Sequence, residues 1–166
     1  MSDSPELYAV APVSGLQQPP VAAPAQPALG FNFADLMVDD GLSKEGVWVD
    51  FYGGSKLKIA STSSPAYKSK LTKLARANKL ILDDSNPDNF EAVQRITAEA
   101  LATTVLLDWE GIHWPNPDGT VTYNIAYTPK LGMQALRTDK FRDFVVEEAG
   151  RISNFKKEIG EAVKKP

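Results

Sequence analysis

The distribution of proline divides this chain of 166 residues into two parts that cannot fold in the same way. Half of the 12 prolines lie in the first 30 residues, among alanines, glutamines and valines: Pro5, Pro12, Pro19, Pro20, Pro24 and Pro27. Each proline lacks an amide donor, fixes φ and disfavours helix at the residue before it. We therefore expect residues 1–30 to form a flexible Pro/Ala-rich arm, extended from Gln17 to Pro27, and the fold to come from later residues.

Residues 31–45 form an acidic, apolar segment that follows the arm. Residues 1–43 carry five acidic residues and no Lys or Arg, while Phe31 and Phe33 supply aromatic side chains. Two interpretations stay open. The segment is either a linker that packs on its own domain, or a docking strip whose phenylalanines insert into a groove of a partner.

The pattern of residues 47–60 predicts a β-hairpin. Residues 47–52 (VWVDFY) are rich in β-branched and aromatic residues, and residues 56–60 (KLKIA) alternate polar with apolar. Gly53-Gly54-Ser55 lies between the two runs, as in a hairpin turn. We expect Trp48, Leu57 and Ile59 on the buried face of this hairpin.

Helical periodicity predominates after the hairpin. Ser64-Pro65 and Thr128-Pro129 each offer an N-cap followed by a first-turn proline. A long helix is predicted from about Phe90 to Leu107, and others near Asp139 and from Ile152 towards the C-terminus. Residues 111–119 read as a loop, and residues 121–125 as a short strand. The sequence thus predicts an α+β fold, predominantly α-helical, with an N-terminal β-hairpin and four to five helices in a domain spanning residues 46–164.

The sequence lacks the usual residues of catalysis and metal binding. It has no cysteine, and His113 is its single histidine. Disulfides, cysteine-ligated zinc, a histidine-paired serine and a two-histidine zinc site are therefore excluded. Gly53-Gly54-Ser55-Lys56 lacks the spacing of a phosphate-binding loop. We expect no enzymatic activity, no cofactor and no bound metal.

Several acidic and basic residues have both a plain and a functional interpretation. The aspartates of residues 83–88 fit a solvated turn better than a calcium loop, because the glycine and terminal glutamate of an EF-hand are missing. Asp108 and Glu110 fit capping or ion pairing better than acid–base catalysis. The cluster Lys68, Lys70, Lys73 and Arg76 fits a solvated helix face better than a surface for nucleic acid or for an acidic partner segment. No apolar run approaches the roughly 20 residues that a membrane span requires.

Several sequence segments, taken in order, resemble those of a known family. Residues 46–54 (GVWVDFYGG) are followed by residues 56–60 (KLKIA) and by the helix start of residues 64–67 (SPAY). Residues 98–111 (AEALATTVLLDWEG), 127–130 (YTPK) and 141–144 (FRDF) come next. Over residues 46–158 this arrangement resembles the tail assembly chaperones of long-tailed bacteriophages, and the residues before Gly46 have no counterpart.

The resemblance implies a binding function. Such chaperones bind the long, helical tape measure protein, keep it soluble and help tail tube protein subunits to polymerise around it. We accordingly expect the tape measure protein and the tail tube protein as partners, with self-association as a further possibility. We also expect a location in the host bacterial cytoplasm and absence from the mature virion. The expected contact residues are aromatic: Phe31, Phe33, Trp48, Phe51, Tyr52, Trp109 and Trp114.

Two other functions remain open on the sequence. A structural virion protein, in the tail or at the head–tail connector, can use the Pro/Ala-rich arm to join neighbouring subunits. A small nucleic-acid-binding regulator can use the basic face of residues 68–76, and its binding to DNA would weaken steeply with salt.

Overall fold

The computed structural model describes residues 29–83 and 85–156. The chain divides into two compact units, residues 1–32 and 33–166, and the elements described below lie in the second. The predicted arm falls mostly outside the described residues, as does the predicted C-terminal helix after Lys156. No helix in the described ranges is long and apolar enough to cross a membrane.

The described part of the second unit is an α+β fold in which helix predominates, as predicted. The helices are α1 (Asp40–Glu45), α2 (Pro65–Ala77), α3 (Asn89–Thr104), α4 (Pro129–Ala135) and α5 (Asp139–Gly150). The strands are β1 (Val47–Asp50), β2 (Lys56–Ile59), β3 (Leu106–Glu110), β4 (Trp114–Pro115) and β5 (Val121–Thr122). Short 3₁₀ turns occupy Phe33–Leu36, Tyr52–Gly54 and Ile152–Phe155.

The predicted hairpin is present as β1 and β2, which pair antiparallel. Leu57 and Ile59 are buried, as predicted, and face the core. The prediction for Trp48 is wrong, because Trp48 pairs with Lys58 and both alternate to the opposite face from Leu57. Trp48 is 43% exposed. The inward-facing partners of Leu57 and Ile59 are instead Val49 and Val47.

The helix predicted to end near Leu107 ends at Thr104, and the chain then forms a third strand, β3. The hydroxyl of Thr104 donates to the carbonyl of Ala100 at 2.7 Å in the last helical turn. β3 pairs antiparallel with β2, placing Trp109 opposite Leu57. Pairing in the sheet therefore overrides the helical pattern, and residues 106–110 complete a sheet of order β1-β2-β3.

A second, two-stranded sheet follows β3 where the sequence predicted a loop and a single strand. Trp114 pairs with Thr122, and Pro115 pairs with Val121. The connection closes with the amide of Gly119 donating to Asn116, and Gly119 has a φ of +85°. The predicted strand of residues 121–125 is thus confirmed in its first part, as β5.

The acidic segment contains more regular structure than the sequence indicated. Asp39 caps α1, its carboxylate accepting from the amide of Leu42 at 2.9 Å. The amide of Asp39 donates to the carbonyl of Phe155 at 2.7 Å. The start of α1 thus contacts the 3₁₀ turn Ile152–Phe155 near the end of the described residues.

The core lies between the three-stranded sheet and the helices α3 to α5. Its buried side chains are Leu57, Ile59, Ala98, Leu101, Ala102, Val105, Leu106, Trp109, Leu136, Val145 and Ala149. Phe155 is also fully buried, but it belongs to a 3₁₀ turn at Ile152–Phe155 where the sequence predicted the start of a helix. Both predicted caps are confirmed, since Ser64 accepts from the amide of Tyr67 and Thr128 from the amide of Leu131.

Candidate functional site

An open groove of about 550 Å³ lies where the turn of the first hairpin, the loop after β3 and the α4–α5 connection meet. Phe51 and Tyr52 line one side, Trp114 and Ile112 another, and Phe141 lies at the start of α5. None of the lining residues carries a carboxylate, an ammonium or a guanidinium group. We refer to this feature as the aromatic groove.

Edge-to-face aromatic contacts fix one wall of the groove. The ring centroid of Phe51 lies 4.8 Å from that of Tyr52 and 4.9 Å from that of Phe144. It also lies 5.4 Å from the ring of Phe141. Such pairs are favoured over face-to-face stacking by the ring quadrupole. Phe51 is therefore held by its neighbours, while Tyr52 remains 78% exposed.

Trp109 forms the floor of the groove and supports Trp114. Their rings stack at 6.2 Å with an interplanar angle of 22°. The indole Nε1–H of Trp109 donates to the carbonyl of Ile125 at 2.8 Å, and its ring meets Tyr127 edge-on at 4.9 Å. Trp109 is only 3% exposed. Trp109 therefore holds Trp114 in place from below.

Two glycine-containing turns bring the walls together. Gly53 and Gly54 adopt φ values of +67° and +79°, so the hairpin turns tightly just after Tyr52. Gly111 has a φ of +72°, and a Cβ there would lie 3.3 Å from the Cα of Ser55. The hydroxyl of Ser55 in turn donates to the carbonyl of Tyr52 at 2.6 Å. The loop after β3 is thus packed closely against the hairpin turn.

His113 lies at the rim and has a structural partner. Its Nδ1 accepts from the amide of Asn124 at 3.1 Å, and its ring meets Tyr123 edge-on at 4.9 Å. Asn124 adopts a φ of +49°, which turns its amide towards the imidazole. These contacts fit the loop role expected from the sequence.

The structure brings together four of the seven aromatic residues that the sequence singled out: Phe51, Tyr52, Trp109 and Trp114. Trp109 is 3% exposed and lies at the floor of the groove, where it supports Trp114. Trp48 and Phe33 lie outside the groove, and both are exposed. Phe31 belongs to the first unit.

Ile112 and Phe141 are among the lining residues that sequence reasoning missed. Ile112 lies in a stretch that was interpreted as a plain loop. Phe141 was placed on a helix, but nothing in its spacing showed that the hairpin turn would pack against it. Its pairing with Phe144 three residues later was the one available signal, because residues three apart share a helix face.

The other candidate sites have plain explanations in the described ranges. The carboxylate of Asp83 accepts from the amide and hydroxyl of Ser85, and these hydrogen bonds lower the pKa of Asp83. Asp108 lies on β3 and accepts from the amide of Trp109 at 2.8 Å. Lys70 of the basic cluster pairs with Glu99 at 3.0 Å. Among the described residues, no group of three or more histidine, aspartate or glutamate side chains is arranged to hold a metal ion.

The described residues therefore define a mainly helical α+β protein with an open, uncharged aromatic groove. The family model of the YdaY prophage protein matches residues 62–165. Because this match covers more than half of the sequence, the chain belongs to the YdaY prophage protein family and is a phage-related protein. No curated protein and no solved structure matches the chain.

The family match covers part of the groove. It includes the loop after β3 and the start of α5, and hence Trp114 and Phe141. It begins after the hairpin, so Phe51 and Tyr52 lie outside the matched range. One wall of the groove is thus contributed by residues beyond the family match.

Proposed function

We propose that this prophage protein is a tail assembly chaperone that binds the tape measure protein through the aromatic groove, without enzymatic activity or a cofactor. The observation that carries the proposal is the groove itself, in which the exposed Tyr52 and the partly exposed Phe51, Trp114 and Phe141 share a lining without carboxylate, ammonium or guanidinium groups. The phage link of the family and the ordered strings of residues 46–158 support the same role.

The chemistry of the groove suits an apolar helix face. An amphipathic helix that binds in a groove inserts anchors spaced three to four residues apart, and its polar side stays in water. Tyr52 provides a large ring from the hairpin turn and Trp114 another from β4, and aromatic residues are enriched among the strongest contributors to protein interfaces. Gln134 and Thr138 supply polar groups at the α4–α5 side, where they can hydrogen-bond the ends of a bound segment.

The groove is also prepared for binding by its own packing. Phe51 is fixed by three ring contacts and Trp114 by stacking on the buried Trp109. Binding to rigid side chains loses less conformational entropy than binding to mobile ones. Because its groove side chains are already fixed, a chaperone that binds transiently can hold an apolar segment without a large interface. The tail tube protein is the second partner of the proposed cycle, which takes place in the host cytoplasm and leaves the chaperone outside the finished virion.

Co-expression with the tape measure protein of the same phage tests the proposal. We expect that protein to be soluble and to co-purify with this chain, and to aggregate when it is expressed alone. A tape measure protein that is soluble by itself and does not co-purify with this chain would contradict the proposal. Stoichiometric amounts of this chain in purified virions would also contradict it and would favour a structural component.

Substitution of Tyr52 localises the interaction. Tyr52→Ala removes an exposed ring from the groove, and we expect binding to weaken by about tenfold or more while the fold is retained. Val146→Ala is the control, because Val146 is 43% exposed and does not line the groove. Equal binding by both variants would place the interaction elsewhere on the molecule.

A further inference from the structure

A second exposed apolar surface lies where α2 and α3 are joined. Its apolar side chains are Leu80, which is 87% exposed, Phe90, which is 72% exposed, and the partly exposed Ile81 and Val93. We call this surface, with its surrounding charged residues, the α2–α3 tip. None of its residues lines the aromatic groove.

The connection that displays these side chains is held by hydrogen bonds. The carbonyl of Asn78 accepts from the amides of Ile81 and Leu82, each at 3.0 Å. The side-chain amide of Asn89 donates to the carbonyls of Leu82 at 2.9 Å and Asp83 at 3.1 Å. Arg95 of α3 donates to the side chain of Asn78 at 3.3 Å, which joins the two helices. The described residues of the connection are therefore tied to one another and to α3 by hydrogen bonds.

Charged residues of both signs flank the apolar side chains of the tip. Arg76 and Lys79 lie at the end of α2 and line a concavity of about 350 Å³ beside Leu80. Asp88 and Glu91 lie at the start of α3 and line a concavity of about 250 Å³ beside Ile81, together with Arg95, whose guanidinium donates to the side chain of Asn78. Each pair also has the sign that its helix terminus favours, since helix dipoles are negative at the C-terminus and positive at the N-terminus.

We propose that the α2–α3 tip binds the same surface of a second copy of this chain, related by a two-fold axis. In such a pairing the basic side of one copy faces the acidic side of the other, and the contact occurs twice. The apolar side chains are then buried between the two rows of ion pairs. A partner carrying one sign of charge, such as a nucleic acid, would instead meet Asp88 and Glu91 beside the apolar residues and be repelled.

Concentration-dependent self-association of the full chain is the first test. Sedimentation velocity of the wild type is expected to show a monomer–dimer equilibrium. The double variant Leu80→Ser/Phe90→Ser is expected to dimerise at least about tenfold more weakly, because it removes the exposed apolar contacts. Tyr123→Ser is the matched control and should behave as wild type. A wild type that is monomeric at all accessible concentrations, or a double variant that dimerises normally, would overturn the proposal.

Charge inversion tests the two-fold arrangement without changing the apolar residues. One variant carries Arg76→Glu and Lys79→Glu, and the other carries Asp88→Lys and Glu91→Lys. Each alone should lose dimerisation, because like charges then meet twice across the axis. A mixture of the two should dimerise again, because both contacts are then between opposite charges. Circular dichroism checks that each variant is folded. Folded variants that dimerise alone, or fail to dimerise when mixed, would overturn the two-fold pairing.

Discussion

Trp109 shows how a single side chain supports a site without forming its surface. Its Nε1–H donates a hydrogen bond to the carbonyl of Ile125, while its ring stacks against that of Trp114. Trp109→Phe removes the donor and leaves a partly buried acceptor, so we expect a loss of about 1–3 kcal/mol in the free energy of unfolding. Trp114→Phe keeps an aromatic ring in the groove and leaves the acceptor satisfied. Urea denaturation should therefore show a smaller loss for Trp114→Phe, and equal losses would contradict the supporting role of Trp109.

Tyr127 gives the fold a dependence on alkaline pH. Burial, and then the negative charge of Asp108, raise the pKa of Tyr127 above its ordinary value. Above that ordinary value the unfolded chain loses the phenolic proton while the folded chain keeps it, so stability falls as the pH rises. The hydroxyl also donates to the carbonyl of Ala102.

Tyr127→Phe separates these two effects. Loss of the hydrogen bond should make the variant less stable than wild type at neutral pH. Because the variant no longer has the titrating group, its disadvantage should shrink as the pH rises from about 9 to 11. Urea denaturation at a series of pH values measures this difference. A disadvantage that stays constant with pH would show that Tyr127 does not titrate differently in the folded and unfolded states.

Single residues also mark the limit of sequence reasoning about the site. The aromatic content of residues 47–52 and 109–114 pointed to residues that line the groove, but not to which rings are exposed. Trp48 is turned away from the core by the register of the hairpin, and Trp109 is buried by the register of β3. A one-residue change of register exchanges the two faces of a strand. Which tryptophan is buried therefore depends on pairing that no local pattern encodes.

At the level of elements, the helix caps at Ser64 and Thr128 could be predicted from the sequence because a cap depends on adjacent residues. Thr128 accepts from the amide of Leu131, whereas Thr138, at the equivalent position of α5, makes no side-chain cap hydrogen bond. Thr128→Ala should therefore cost about 1 kcal/mol of stability, and Thr138→Ala clearly less. Thermal or urea unfolding of the two variants checks the comparison. A larger loss for Thr138→Ala would show that the caps are assigned wrongly.

The element that the sequence concealed is β3. Residues 98–107 continue a helical pattern of apolar residues, and no glycine or proline interrupts them. The change to strand after Thr104 is stabilised by pairing with β2, about 50 residues earlier in the chain. Local propensity cannot report a contact over that distance. The first hairpin, by contrast, pairs residues separated by a short glycine turn, and it was predicted correctly.

At the level of the whole molecule, the composition and periodicity were enough for the fold class. The α+β architecture, dominated by helix, follows from one hairpin signal and several amphipathic helices. The groove did not follow, because it is built from three separated parts of the chain: the hairpin turn, the loop after β3 and the start of α5. The aromatic residues led the sequence analysis to expect a binding surface. The close packing of Gly111 against Ser55, which brings the loop after β3 against the hairpin turn, is seen only in the structure.

The same architecture keeps two exposed apolar surfaces apart. The aromatic groove is uncharged, whereas the α2–α3 tip is surrounded by both signs of charge. The two proposals combine into one assembly, in which the groove binds the tape measure protein and the tip joins two copies of the chaperone. A dimer joined at the tips would present two grooves to one long helical partner, and the linked sites would raise its apparent affinity.

Tryptophan fluorescence tests the central claim most directly, because the groove contains Trp109 and Trp114, and Trp48 is the third tryptophan of the chain. In a Trp48→Phe variant, all tryptophan emission comes from the groove. Addition of a helical segment of the tape measure protein should shift this emission to shorter wavelength and protect the partly exposed Trp114 from acrylamide quenching. Binding of that segment, shown independently by calorimetry, with unchanged emission and unchanged quenching would contradict the claim that the aromatic groove is the docking site.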